Sequence, residues 1–137
     1  MNPSAELRNA VLRFYEGMSS GDVSAIERLF SRQSGVLAIG SDPNEWWSGY
    51  DTIIRAFKVQ LQEMGTRQIQ VGELNTFVEG AVGWADRRIT RRMNDEEMTI
   101  RETIVFHKED GEWKIVQFHA SLGVPNTEVF GKELAVK

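Results

Sequence analysis

The 137-residue sequence predicts an α+β domain in which three N-terminal helices pack on one face of a curved, mostly antiparallel sheet. Three observations lead there. An apolar stripe at helical spacing occurs three times before residue 65, the first closed by Ser19-Ser20-Gly21 and the third by Gly65. From Arg67 onward, four long runs rich in β-branched and aromatic residues follow one another across short turns. Those turns leave no room for crossovers, so the runs form an antiparallel meander. No internal repeat, linker or low-complexity stretch divides the chain, and residues 1–137 are expected to form one domain.

The first helix spans residues 4–18, with Leu7, Val11, Phe14, Tyr15 and Met18 on one side. Asn2 or Ser4 is placed to cap it, and Ser19-Ser20-Gly21 stops it. Asp22 opens a second helix, whose Val23, Ile26, Leu29 and Phe30 again share a face. The unbroken apolar run Gly35–Gly40 is a short buried strand, and Ser41-Asp-Pro-Asn44 is a turn by composition. A third helix from about Asp51 to Met64 buries Ile53, Ile54, Phe57, Leu61 and Met64 and ends at Gly65. The four β runs are Gln68–Val78, Ala81–Arg92, Met98–Lys108 and Glu112–Leu122, with turns at Glu79-Gly80, Met93–Glu96 and Asp110-Gly111.

The last hairpin sets the expected facing. A loop of Glu109–Gly111, with Gly111 left-handed as a bulge, puts Ile104 and Phe106 on one face with Val116 and Phe118. The opposite face then carries Val105, His107, Trp113, Ile115, Gln117 and His119, too apolar to be left in water. In the preceding hairpin, a loop of odd length sets Arg88 opposite or diagonal to Glu102, with Trp84 and Asp86 on the same side. A glutamate between Ile100 and Ile104 needs a partner, either as an ion pair closing the wall or as a polar anchor for a ligand.

Composition narrows the function classes. Without cysteine there is no disulfide, thiolate metal site or cysteine nucleophile. The polar N-terminus and the lack of a ~20-residue apolar stretch point away from a membrane, making a cytoplasmic protein the expectation. A net charge of −4 weighs against nucleic acid, and the cluster Arg87-Arg88 with Arg91-Arg92 is explained by cross-strand pairing with Glu102 and Asp95-Glu96-Glu97. Two histidines twelve residues apart and no Gly-rich loop ahead of a helix give no expectation of a metal or other cofactor.

The segment Gly21–Phe30, the Trp-Ser-Gly49 ahead of a helix and the closing Asp110-Gly-Glu-Trp-Lys-Ile-Val-Gln-Phe-His119 resemble the nuclear transport factor 2-like superfamily, most closely its SnoaL-like branch, over roughly residues 4–124. The resemblance implies a cone-like α+β barrel with a cavity between helices and sheet, and frequently a homodimer through the outer sheet face. This scaffold hosts several activities, so the resemblance speaks to fold rather than reaction. Matching on Gly21-Asp22 puts Phe14 where ketosteroid isomerase has its tyrosine, and Ala38 or Gly40 where it has its base. The last strand pair also resembles the association domain of calcium/calmodulin-dependent protein kinase II, with Arg88 matching one of its pocket arginines but Ile104 and Ala120 standing where two others would be.

The leading expectation is a cavity for a small apolar or aromatic compound, lined by Tyr15, Trp46, Trp47, Trp84, Asp86, Arg88 and Phe118, with Asp42 or Glu102 for acid–base work. Tyr15 or Arg88 would stabilise developing negative charge. A homodimer through Trp113, Ile115 and His119 is the expected assembly. The alternative is a non-catalytic assembly module whose cavity is filled by its own tryptophans.

Overall fold

A computed structural model describes residues 1–134. Its elements are β1 (Asn2–Pro3), α1 (Ala5–Ser20), α2 (Val23–Leu29), β2 (Leu37–Ile39), β3 (Trp46–Ser48), α3 (Tyr50–Met64), β4 (Glu73–Glu79), β5 (Val82–Met93), β6 (Glu96–Glu109), β7 (Glu112–Leu122) and α4 (Asn126–Phe130). The sheet has seven strands in the order β1-β4-β5-β6-β7-β2-β3. Among the described strands only β2 against β7 is parallel, with one isolated parallel bridge between Phe30 and Ile115.

Local chemistry accounts for the helix ends. Ser4 caps α1 by accepting a hydrogen bond from the Leu7 amide at 3.1 Å, and left-handed Gly21 (φ 71°) closes it. Asp22 caps α2 through the Ala25 amide at 3.2 Å, so two orthodox caps set the helix pair around a single glycine. Two short strands escape the sequence pattern. Asn2–Pro3 pairs with Val78 and Phe77, and Trp46–Ser48 folds back on β2. Neither is long enough to show an alternating pattern.

All three long helices bury their expected stripes against the inner sheet face. Leu7, Val11, Phe14, Ile26, Ile53 and Phe57 are fully or almost fully buried, together with Ile104, Phe106 and Ile115 from the sheet. Phe14 is the hub, with its ring 5.5 Å from Phe118, 6.0 Å from Phe57 and 6.3 Å from Phe30. Met64, placed in the α3 stripe by spacing, is exposed at the helix end.

Turn chemistry fixes which way the sheet faces. Asn94 and Asp95 both have positive φ (50° and 62°), as do Asp110 and Gly111 (50° and 82°). Both connections are therefore two-residue hairpins of the kind that match strand twist, closing Met93 on Glu96 and Glu109 on Glu112. Two corrections follow. In the β5–β6 hairpin the even-length loop pairs Arg87 with Glu102, so Arg87, and not Arg88, faces inward; Trp84 and Asp86 go to the outer face with Arg88.

In the β6–β7 hairpin the bulge lies at Val116 instead of Gly111: Phe106 pairs with Ile115, whereas Val105 pairs with Gln117. Between the turn and Val116 the facing is thus opposite to that expected, and Trp113 and Ile115 lie under the helices at 6% and 0% exposure. Beyond the bulge, Phe118 points inward as expected and His119 outward. The far end of the β5–β6 hairpin projects past its neighbours, since β4 pairs only as far as Arg88 and β7 only as far as Ile100.

Phe106 is fully buried at the centre of the inner face. Phe106→Ala is expected to cost about 3–5 kcal/mol, read as a lower urea midpoint at unchanged m-value.

Candidate functional site

A cavity of about 350 Å³ opens between α1, α3 and the inner sheet face. Large side chains fill the interior elsewhere, but here Glu102 on β6 is paired across the strands with Ala120, whose methyl leaves a hollow beside the carboxylate. Phe14, Met18, Phe57 and Phe118 supply apolar walls, and Trp47 closes one side with its ring 6.2 Å from Phe57. A second depression of about 300 Å³ lies between α1, α2 and the Asp110–Gly111 turn, but its Lys114 is occupied by Glu112 at 3.2 Å and by the Arg28 carbonyl.

Three polar side chains meet in the buried part of the first cavity. Arg87 and Glu102 form an ion pair in which both side chains are 7% exposed. Arg87 also donates to the Gln70 carbonyl at 2.7 Å and lies 4.2 Å above the Tyr15 ring, so its guanidinium is clamped on three sides. Burial pushes the Glu102 carboxyl above the ordinary carboxylate range, and Arg87 opposes that shift only in part. Burial likewise raises Tyr15, helped by the Glu102 charge and opposed by Arg87, so the phenol stays protonated. Its hydroxyl and the Arg87 Nε are buried without a hydrogen-bond partner among the described residues. A neutral phenol with an unused proton beside a carboxylate of raised proton affinity can donate to a ligand oxygen while the carboxylate exchanges a proton.

The outer part of the cavity is also polar. Glu45 is held by the Asp42 amide at 2.8 Å and by Gln60 Nε2 at 2.7 Å. Its place depends on Gly40, where a Cβ would stand 2.7 Å from the Glu45 Cδ. Arg67 and Arg91 complete the lining.

Of the residues expected to form the site, Tyr15, Trp47, Glu102 and Phe118 come together in the cavity. The others do not. Asp42 is exposed in the turn before β3, where its carboxylate accepts from the Asn44 amide at 2.8 Å, and Trp46 is 64% exposed because the β3 pleat turns it away from Trp47. Trp84 stacks on Phe77 at 6.2 Å on the outer face, Asp86 accepts from Asn75 at 2.9 Å, and Arg88 pairs with Glu73 at 2.9 Å in solvent. Sequence reasoning paired the Arg87–Arg92 cluster with Glu102 and its acidic neighbours but did not place Arg87 in the site, although a two-residue Asn94-Asp95 turn suffices to set it opposite Glu102. Both histidines stay outside the cavity, as expected, and among the described residues no group of three metal-ligating side chains converges. No helix of the described residues is long and apolar enough to cross a membrane.

The architecture is the NTF2-like α+β cone. An NTF2-like protein of unknown function from Pseudomonas putida superposes with a TM-score of 0.77 at 14% identity, over 99% of each chain. A candidate dehydratase of the NTF2-like family from Streptomyces avermitilis gives 0.73 at 17% identity, covering 87% of this chain and 95% of its own. A candidate ketosteroid isomerase from Parabacteroides distasonis gives 0.65 at 17% identity, covering 85% and 86%. At these identities the likeness is one of fold. No curated protein matches the chain by sequence. The SnoaL-like domain family matches residues 7–125, and the chain belongs to it.

Because the folded state holds the Glu102 proton more tightly than the unfolded chain does, this group's contribution to stability falls as pH rises from the ordinary carboxylate range through the raised value. Glu102→Gln is expected to remove that fall, seen as a flatter plot of Tm against pH. Arg87→Met strands the carboxylate and is expected to cost about 3–5 kcal/mol near neutrality, measured by urea unfolding.

Proposed function

We propose that this protein binds a small, largely apolar or aromatic compound in the cavity and moves a proton on it through Glu102. The observation that carries the reading is the unpartnered Tyr15 hydroxyl beside the buried Arg87–Glu102 pair, at the edge of aromatic walls. Buried polar groups in folded proteins are almost always satisfied, so a ligand oxygen is the natural partner for the phenol. Tyr15 donates to that oxygen, Glu102 takes up or returns a proton at a neighbouring carbon, and Arg87 restrains the charge left on Glu102. The names of two fold relatives, a candidate dehydratase and a candidate ketosteroid isomerase, denote reactions of this proton-transfer type. The match on Gly21-Asp22 puts Phe14 at the isomerase tyrosine and Ala38 or Gly40 at its base, and none of these side chains can move a proton. The polar work therefore moves to Tyr15 and Glu102.

The lining of the cavity supports this reading over an assembly module whose tryptophans plug the hollow. Only Trp47 lines it, while Trp46 and Trp84 lie outside. A thermal-shift screen against a metabolite panel tests the proposal, since a ligand present at about 100 times its Kd stabilises the folded state by about 2.7 kcal/mol. Tyr15→Phe is expected to weaken the hit about 5- to 10-fold, the equivalent of one hydrogen bond. Glu102→Gln is expected to lower turnover by about 100-fold or more. Unchanged affinity and turnover in both variants would refute the reading.

We infer a second copy of the chain as the partner of the outer sheet face. With Trp113 and Ile115 turned inward, the apolar centre of that face is the Phe77–Trp84 stack beside half-buried Val105. Trp84→Glu is expected to convert a dimer to monomer in sedimentation velocity.

A further inference from the structure

Arg67 follows α3, and its backbone is tied to the end of α1: its amide donates to the Ser19 carbonyl at 2.9 Å, and the Ile69 amide donates to Ser19 Oγ at 3.2 Å. Its side chain is half-buried at the cavity, with an Nε that is shielded from solvent and has no hydrogen-bond partner among the described residues. Arg91 lines the same cavity from the inner face of β5. Among the described residues neither arginine has a carboxylate within ion-pair distance. The acidic groups nearby are otherwise engaged or turned to water. Glu102 is paired with Arg87, Glu45 is held by Gln60 and the Asp42 amide, and Glu63 is exposed in the last turn of α3. Burial and the like charge of Arg91 together lower the proton affinity of Arg67. Two guanidinium groups share one opening without a counter-ion, an arrangement that costs free energy until an anion joins them.

We propose that Arg67 and Arg91 are an anion clamp at the rim of the cavity, seating the carboxylate of an amphipathic ligand whose apolar body lies among Phe14, Phe57 and Phe118. The inference rests on the cavity being a ligand site and adds the ligand's chemical class. A planar guanidinium fork matches a carboxylate edge to edge, and two such forks at a partly desolvated opening select a charged acid over its neutral amide. Strand geometry sets the reach. Arg87 and Arg91 lie four residues apart on the same face of β5, about 13 Å at ~3.3 Å per residue. The ligand therefore carries its carboxylate at one end and presents its reactive end to Tyr15 and Glu102, with an aryl or alkyl body between. A free mineral anion fills the clamp but leaves the aromatic walls empty.

Isothermal titration calorimetry with two matched pairs, 2-naphthoate against 2-naphthamide and octanoate against octanamide, tests this on the wild type, Arg67→Gln and Arg91→Gln. Arg91 is exposed, so its variant keeps the test valid should Arg67→Gln fail to fold. The expected result is an acid that binds at least about 10-fold tighter than its amide, an advantage that either substitution removes while leaving amide affinity unchanged. Equal affinity for acid and amide, indifferent to both substitutions, overturns the clamp and leaves the cavity reading intact. Failure of all four probes to bind overturns the clamp together with the cavity reading. Tight binding of chloride or phosphate alone, with no gain from an apolar body, also overturns it.

Discussion

A guanidinium and a carboxylate shut inside the sheet, Arg87 against Glu102, constrain everything around them. Neither charge can be left alone there, because an unpaired buried ion costs several kcal/mol. β5 and β6 must hold a register that keeps them face to face, and the Gln70 carbonyl and the Tyr15 ring occupy two further sides of the arginine. The helices above then cannot close as they do over Phe106. Around the pair the aromatic packing of Phe14, Phe57 and Phe118 stops short, and the hollow follows from that interruption.

The same pair explains why one tyrosine differs from the rest of the α1 stripe. Leu7, Val11 and Phe14 need only apolar neighbours, whereas Tyr15 brings a hydroxyl into a place where both nearby charges are already engaged with each other. Its aromatic face is used by Arg87 and its oxygen by nothing. In a core built for stability alone, phenylalanine would serve that position better, since it packs the same ring without an orphaned group.

The helices and the order of elements were legible in the sequence because each rests on a local rule: caps at Ser4 and Asp22, left-handed Gly21, and apolar stripes on α1 and α3. The facing of the sheet was less so, because alternation has period two and one residue of error in a loop reverses every side chain. Counting the β5–β6 loop as odd exchanged Arg88 for Arg87 and carried Trp84 and Asp86 to the wrong side. In the last hairpin the expected bulge was real but misplaced, at Gly111 instead of Val116, so Trp113 and Ile115 were inverted while Phe118 was not. Arg67 had no signal at all, and Glu45 stood out only as an acidic neighbour of Asp42 and the Trp46-Trp47 pair. They sit in irregular segments on either side of α3, and only the tertiary fold brings them to one opening.

The sheet ends in two stubs, β1 of two residues and β3 of three, so neither margin offers much backbone for a stranger to zip onto. The vulnerable place is instead the overhanging tip of the β5–β6 hairpin, where, among the described residues, both flanks from Ile89 to Thr99 lack a neighbouring strand. Arg92 and Glu97 sit opposite one another there, with Glu96 beside them, and a second hairpin tip drawing alongside would bring the same ionic groups into its path. The chain thus guards its longest bare margin with charge, which lets two strands of 12 and 14 residues extend into water without inviting fibril-like stacking.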